Sequence, residues 1–426
     1  MQGLKNSTGH VNRETFRLIF FRWEGFLLNE TEWIKDFRER RIAYGLSQNR
    51  LAVAVGISRQ YLNQIETGAV VPSHALKANL LQTLERFNPE SPLTMLFDYV
   101  RIRFPTQDVK HVIEAVLGLR FDMFLHEDYG FYSYAEHFVL GDVFVLTSPD
   151  EEKGVLLELK GRGCRQMESY LLAQHRSWYD FLMEALAEGG VMKRLDLAIN
   201  DMAGILDIPE LTEKCSREEC VSVFRSFKSY RSGELVRSHE QDKYGMGNTL
   251  YIGSLKSEVY FCVYEKDYEQ YVRHGVPMED TRIRNRFEIR LKNERAYHAV
   301  RDLLTWYDAE RTAFGIINRY IRFVDREVDK RRSQWKINER WAYFIGSGRE
   351  RLKLTTEPEP YTLTRTLNWI SRQVAPTWKV LQQIDSINGT TYLKEILDHA
   401  KLTERHKKLI VQQTASTEEV IVGQEE

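Results

Sequence analysis

Cysteine is scarce in this chain, with Cys164, Cys215, Cys220 and Cys262 the only four among 426 residues. Four thiols so placed cannot make a disulfide framework, and the Cys215/Cys220 pair has no second pair to complete a zinc site. A reducing cytoplasm is the expected location. Proline is sparse at 10 residues and no long biased run occurs, which excludes a low-complexity or largely disordered chain. A charge excess of one sign is also missing: 60 basic residues face 61 acidic ones. Bulk charge therefore gives no support for a nucleic-acid partner, and any such reading has to come from local charge and motifs. Long hydrophobic runs are lacking too. The most apolar stretch, Phe16 to Leu28, is interrupted by Arg22 and Glu24, so it reads neither as a signal peptide nor as a membrane span of about 20 residues. No membrane insertion is expected.

What is present is an ordinary folded composition, 42% hydrophobic and 28% charged, in a chain long enough for two to three domains at roughly 150 residues each. Residues 1–30 carry mixed signals and no assignable role. Residues 31–88 read as short amphipathic helices with tight connections, and Pro89 and Pro92 mark the end of that pattern. Residues 95–300 alternate β-type runs with helical stretches such as Gln166 to Ala187. Residues 301–414 turn to helical periodicity, with Phe314, Ile317, Tyr320 and Ile321 on one face. Residues 415–426 read as a short flexible tail. The fold class expected is α+β: a small all-α domain, a mixed α/β-sheet domain and a helical C-terminal region.

Within the first domain, Gly45, Ser47, Gly56 and Ser58 punctuate three helices, the serines placed to cap free backbone N–H groups and Gly56 to allow the sharp turn. Leu51, Ala52, Val55, Ile57, Leu62 and Ile65 supply a small core. Leu46-Ser47-Gln48, Gly56-Ile57-Ser58, Tyr61, Ile65-Glu66 and Gly68 closely resemble the helix-turn-helix of the lambda-repressor and Cro-like family. The resemblance implies that the third helix enters the major groove with Arg59, Gln60 and Asn63 toward base edges, while Gln48 braces a phosphate or base.

Alternation in the β-type runs isolates polar groups on one face. In EVYFCVYEK, Val259, Phe261 and Val263 share a face, and Tyr260, Cys262 and Tyr264 share the other. The same parity isolates Asp196 in RLDLAIN, Glu288 in RFEIRLK and Glu158 in GVLLELKG. Carboxylates converging beside a tyrosine would suit metal-assisted phosphoryl transfer to a phenol, since a phenol of pKa near 10 is only about a thousandth ionised at pH 7.

LYIGSLKSEVYFCVYEK, followed by RNRFEIRLKNERA and preceded by RLDLAI and LELKGRGCRQ, resembles the Rep_trans superfamily of rolling-circle replication initiators, especially the MobT-type relaxases of integrative conjugative elements. The likeness runs from about Leu96 to Ile410. It implies a nickase that joins the 5′ phosphate to Tyr264, in Tyr264-Glu265-Lys266, with Tyr251 as runner-up. It also implies a divalent ion, Mg²⁺ or Mn²⁺, on Asp196 and Glu288, with Glu158 less certain. Asp98 is a further possible ligand, although alternation puts it on the face of Val100 and Ile102. Where family members often carry a basic residue two positions before the tyrosine, this chain has Cys262. Lys256, Lys266, Arg286 and Arg290 are candidate replacements as phosphate contacts. No histidine pair has the His-hydrophobe-His spacing of the histidine relaxases.

From Arg319 to Lys353, 11 basic residues face five acids, with Tyr320, Phe323, Trp335, Trp341, Tyr343 and Phe344 interleaved, a pattern suited to unpaired bases. The partners implied are origin DNA, duplex and single-stranded, together with a conjugative coupling protein and accessory processing proteins. A plasmid replication initiator would use the same chemistry. A helix-turn-helix transcriptional regulator without enzymatic activity is the competing class.

Overall fold

A computed structural model describes residues 30–43, 46–85, 92–232, 247–276, 281–346, 352, 354–359, 367 and 370–423. The expectation for residues 1–30 falls almost wholly outside them. The chain divides into two compact units, residues 1–91 and 92–426.

The first unit contains helices α1 (Glu30–Ala43), α2 (Gln48–Val55), α3 (Arg59–Glu66) and α4 (His74–Glu85). Trp33, Phe37, Leu51, Ala52, Leu62, Ile65, Leu80 and Leu84 form its core. Gly56 sits at φ +80°, the left-handed turn that separates α2 from α3. Ser58 accepts a hydrogen bond from the Tyr61 amide and caps α3 as expected. Arg41 and Glu66, both buried, pair through Nε–Oε1 and Nη2–Oε2 contacts of 2.5 and 2.9 Å, and Arg41 also donates to the Leu46 carbonyl. This pair ties α1 to α3, so removing either partner would strand a buried charge.

The second unit is built on an antiparallel sheet. Its strands, in chain order, are β1 (Leu93–Phe104), β2 (Leu125–Glu127), β3 (Glu136–Leu140), β4 (Val143–Thr147), β5 (Val155–Lys160), β6 (Val191–Asp201), β7 (Cys220–Ser222), β8 (Phe227–Arg231), β9 (Asn248–Ile252), β10 (Val259–Glu265) and β11 (Asn285–Lys292). Among the described residues ten of these pair in the order β2-β3-β4-β5-β1-β6-β11-β10-β9-β8, leaving β7 apart. One face is apolar, made of Val100, Ile102, Val145, Leu157, Leu195, Leu197, Phe261, Val263, Phe287 and Ile289. Helices Arg162–Ala173, Trp178–Ala187, Ile208–Ser216, Asn293–Trp306 and Ala309–Tyr320 bring their apolar sides to the same core. Phe261 and Phe287 are fully buried there, and truncating either to alanine would cost about 3–5 kcal/mol.

Two expectations are corrected. The region after residue 301 is not helical throughout: Ile321–Asp325 (β12) and Lys336–Ile337 (β13) join β7 in a second sheet of order β13-β12-β7. Ile321, Phe323 and Val324 are β-branched or aromatic and buried, and they pack better on a pleat than on a helix. Residues 415–423 are not a flexible tail. Val420 is buried, its carbonyl accepts from the Arg120 amide at 2.9 Å, and the Val422 amide donates to the Gly118 carbonyl at 2.9 Å. Among the described residues no helix is long and apolar enough to cross a membrane.

Candidate active site

The face of the sheet opposite the core is polar, and the expected residues gather there. Tyr264 lies at the end of β10, registered against Arg286 of β11, and Cys262 is registered against Glu288. Because side chains two apart on a strand share a face, Tyr260, Cys262 and Tyr264 project beside Arg286, Glu288 and Arg290. The Tyr264 hydroxyl donates to Glu288 Oε1 at 2.8 Å. The other Glu288 oxygen accepts from Arg290 Nε and Nη2, at 2.8 and 2.6 Å. Burial pushes the Tyr264 phenol well above its usual range, with Glu288 adding to the shift and Arg286 opposing it. Such a phenol stays protonated at neutral pH and needs an acceptor for its proton before it can attack.

Cys262, Tyr264, Arg286, Glu288 and Arg290 line a cavity of about 810 Å³ that also takes in Asp98, Arg162, Arg165, Tyr251, Lys266, Glu357 and Glu359. Lys266 opens the helix Lys266–His274 directly after β10 and pairs with Glu269, its ammonium 5.6 Å from the Tyr264 ring centre. Burial, with the charge of Arg286, holds Lys266 below the ordinary lysine range. The cations Lys266, Arg286 and Arg290 therefore stand around Tyr264 in the absence of a basic residue at Cys262. Cys262 itself is buried, and burial raises its thiol to about 12. Lys256 lies elsewhere, in the exposed turn between β9 and β10.

Asp98 is the member whose parity the sequence misassigned. The β1–β6 register shifts between Phe97 and Tyr99, a bulge that inserts one residue and reverses the alternation. Phe97 and Val100 both face the core, so Asp98 is released to the polar side. Its Oδ1 accepts from Arg286 Nη1 at 2.9 Å, while Arg286 Nε donates to Asn200 at 2.8 Å. Burial works to raise the Asp98 carboxyl, but Arg286, Arg165, Lys266 and Arg290 together hold it below the usual carboxylate value.

The expected acids Asp196 and Glu158 stand apart from the tyrosine. Asp196 is forked by Arg194 at 2.9 and 2.6 Å and lies 3.8 Å from Arg290, one arginine away from Glu288. Burial pushes it up to about 6 despite that fork. Glu158 is farther off, on β5, where Tyr99, Arg101 and Lys160 satisfy it; Lys160 Nζ is 2.7 Å away. Neither lines the cavity, so the triad of Asp196, Glu288 and Glu158 is not brought together. Among the described residues no three His, Cys, Asp or Glu side chains converge closely enough to hold an ion. The cavity offers instead separate carboxylates, Asp98, Glu265, Glu269, Glu288, Glu357 and Glu359. That donor set suits a hard divalent ion that keeps several waters and takes further ligands from a substrate phosphate.

Arg162, Arg165, Glu357 and Glu359 were missed by strand parity. The first two lie in LELKGRGCRQ, on the helix that follows β5, whereas nothing in the sequence marks the two glutamates. They arrive through the chain crossing at 354–359, where the Thr355 amide donates to the Met95 carbonyl at 2.6 Å and the Glu357 amide to Glu168 at 2.6 Å.

In the first unit Arg59, Gln60 and Asn63 are exposed on α3, as a reading helix requires. Gln48 is engaged within the unit. Its amide nitrogen donates to Asn63 at 3.0 Å and to Glu66 at 2.8 Å, bracing α2 on α3.

Residues 190–397 match the family model Rep_trans, "Replication initiation factor". Residues 94–184 match "Rolling Circle replication initiation protein N-terminal domain", and residues 37–76 match a "Helix-turn-helix" model. The chain is 39% identical over 352 residues to the "Putative DNA relaxase NicK" of Bacillus subtilis (strain 168), an alignment covering 82% of this chain and 98% of the relative. The chain belongs to the Rep_trans family. A solved rolling circle replication initiator protein from Geobacillus stearothermophilus superimposes with a TM-score of 0.52 at 25% identity, over 62% of this chain and 99% of that one. The Rep_trans match spans β6 to β11 with Tyr264, Glu288 and Arg290, and the second match contributes Asp98 from β1. The cavity is thus assembled from both segments.

Proposed function

We propose that this protein is a site- and strand-specific DNA nicking-closing enzyme, with Tyr264 as its nucleophile. The observation that carries the reading is the hydrogen bond from Tyr264 to Glu288 inside a cavity lined by arginine and lysine. Arg286, Arg290 and Lys266 bind and orient the phosphodiester. The Tyr264 oxygen attacks phosphorus and its proton passes to Glu288 Oε1. The bond from phosphorus to the 3′ oxygen breaks, that oxygen takes the proton, and the 5′ phosphate remains on Tyr264. Rejoining is the reverse. With Glu288 engaged by Tyr264 and Arg290, Asp98 would hold a magnesium or manganese ion together with waters and the substrate phosphate, and that ion when bound supplies charge stabilisation at a non-bridging phosphoryl oxygen.

The biological setting proposed is initiation at an origin of transfer in a conjugative element, with the exposed α3 residues Arg59, Gln60 and Asn63 placing the protein on duplex DNA. The "DNA relaxase" in the relative's name supports that setting. A plasmid replication initiator is the second reading, favoured by the solved relative. Incubation with an origin oligonucleotide and Mn²⁺, followed by denaturing electrophoresis, tests the chemistry. A protein-linked band is expected, lost in Tyr264→Phe and on chelation of the metal. Undiminished adduct in Tyr264→Phe would remove that residue from the mechanism, and undiminished adduct under chelation would remove the ion.

A further inference from the structure

The stacking surface expected in residues 319–353 does not form there as a group, since Phe323, Trp341 and Phe344 are buried in the core. An aromatic and cationic cluster does occur in the loop between β2 and β3. Tyr129, Phe131 and Tyr132 are 55%, 38% and 48% exposed. Phe131 packs over His137 and Phe144, at ring separations of 5.1 and 6.0 Å. Phe144 is registered against Glu158, and both alternate with core residues, so the loop lies over the polar face, the face that carries Tyr264. The Arg101 guanidinium carbon lies 4.0 Å from the centre of the Tyr132 ring, and Lys160 Nζ donates to the Tyr132 hydroxyl at 3.1 Å.

The loop is held in shape rather than left to drift. Tyr132 and Ser133 adopt φ +56° and +63°, a left-handed conformation that non-glycine residues enter only when their surroundings impose it. A Cβ on Gly130 would come within 2.4 Å of the Tyr134 carbonyl oxygen, so only glycine allows the chain to close there. Strain retained at a place where three aromatic rings face water beside cations is better matched to a ligand than to packing, because packing would bury the rings.

We propose that this loop is a base-stacking site for an unpaired segment of the DNA strand that is cut at Tyr264. Bases stack on Tyr129 and Tyr132, with Phe131 anchoring the loop, while Arg101 and Lys160 meet the backbone. From β3 to β10 the sheet counts six strand steps, roughly 29 Å at about 4.8 Å each, so the strand is held at one end while it is cut at the other. Stacking is indifferent to base identity, which leaves sequence choice to the first unit and to the cavity.

The inference rests on the nicking reading for its choice of ligand, and its test is separate from that chemistry. Oligothymidylate carrying 5-iodouracil, long enough to span both places, is photo-crosslinked to the full-length wild-type protein and the adducts are mapped by mass spectrometry. Adducts at Tyr129, Phe131 or Tyr132 are expected; adducts confined to other surfaces overturn the proposal. In binding by fluorescence anisotropy, Tyr129→Ala/Tyr132→Ala is expected to weaken the long oligonucleotide about tenfold or more. The corresponding double phenylalanine variant, which keeps both rings, should bind as wild type. Full affinity in the alanine variant rejects the stacking site even if the Tyr264 adduct forms. A missing adduct with intact loop binding rejects the nicking reading alone.

Discussion

The two halves of the large sheet share one plan and differ in chemistry. In each, a long strand (β1 or β6) leads through a helix to four further sheet strands, the last of which returns beside the long strand. Each last strand is followed directly by a residue of positive φ, Gly161 at +39° and Asn293 at +47°, where the chain turns into a helix. Matching the halves at those two residues sets Leu156 against Glu288, Leu146 against Cys262 and Arg101 against Asp196. The acid of the first half, Glu158, falls where the second half has Arg290. The topology supplies two polar sheet faces, each with a tyrosine hydroxyl donating to a buried glutamate, Tyr264 to Glu288 and Tyr99 to Glu158, but only the Tyr264 pair lies in the cavity lined by arginine and lysine. The other half keeps its acid saturated by Tyr99, Arg101 and Lys160 and offers aromatic rings instead.

The comparison would break most visibly at Tyr264. Tyr264→Phe is expected to abolish the covalent adduct on denaturing gels, whereas Tyr251→Phe, whose hydroxyl lies near Cys262 and is pushed up to about 12 by burial, should leave it. Next comes Glu288→Leu, which gives the second half the residue of the first. Single-turnover adduct formation should fall about 10²- to 10⁴-fold, the usual worth of a positioned base. Glu288→Gln separates basicity from shape. With no internal acceptor the rate follows the phenolate, and because burial holds the phenol well above 10, it should climb about tenfold per pH unit between about pH 6 and about pH 9. The wild type should rise less steeply, and equal slopes would exclude Glu288 as the acceptor.

A smaller effect is expected from the first half. Glu158→Gln weakens a buried charged cluster and should cost about 1–3 kcal/mol in denaturant unfolding, while adduct formation per folded molecule stays unchanged. A loss of activity as large as that at Glu288 would mean that both acids serve the chemistry. A change of similar size belongs to the first unit. Arg59→Ala or Gln60→Ala should weaken specific duplex binding by about 1–3 kcal/mol in a gel-shift titration and leave cleavage of a single-stranded oligonucleotide intact.

Much of this is legible in the sequence. Alternation placed Tyr264, Glu288, Arg286 and Arg290 on one face because these strands pair regularly and a period of two survives along each. The helix-turn-helix was legible because Gly56 and Ser58 act locally, through a backbone angle and a cap. Three things escaped. The chain turns to strand at Ile321 because the partner strand, Cys220–Ser222, lies a hundred residues away, and periodicity is blind to partners. The end of the chain reads as polar and short, yet Val420 docks in the core. Glu158 looks like a ligand by parity, but its neighbours Tyr99 and Arg101 are contributed by another strand.

The amino-acid order by itself determined which strands carry a tyrosine, a carboxylate and their flanking arginines, since side-chain parity is a local property of extended chain. Only the tertiary structure decided which acid joins the tyrosine. A one-residue bulge in β1 turned Asp98 from the apolar face into the cavity, and register across β5, β1 and β6 engaged Glu158 and Asp196 elsewhere. Bulges and registers are set by how neighbouring strands pack, and that information is shared between strands instead of residing in any one of them.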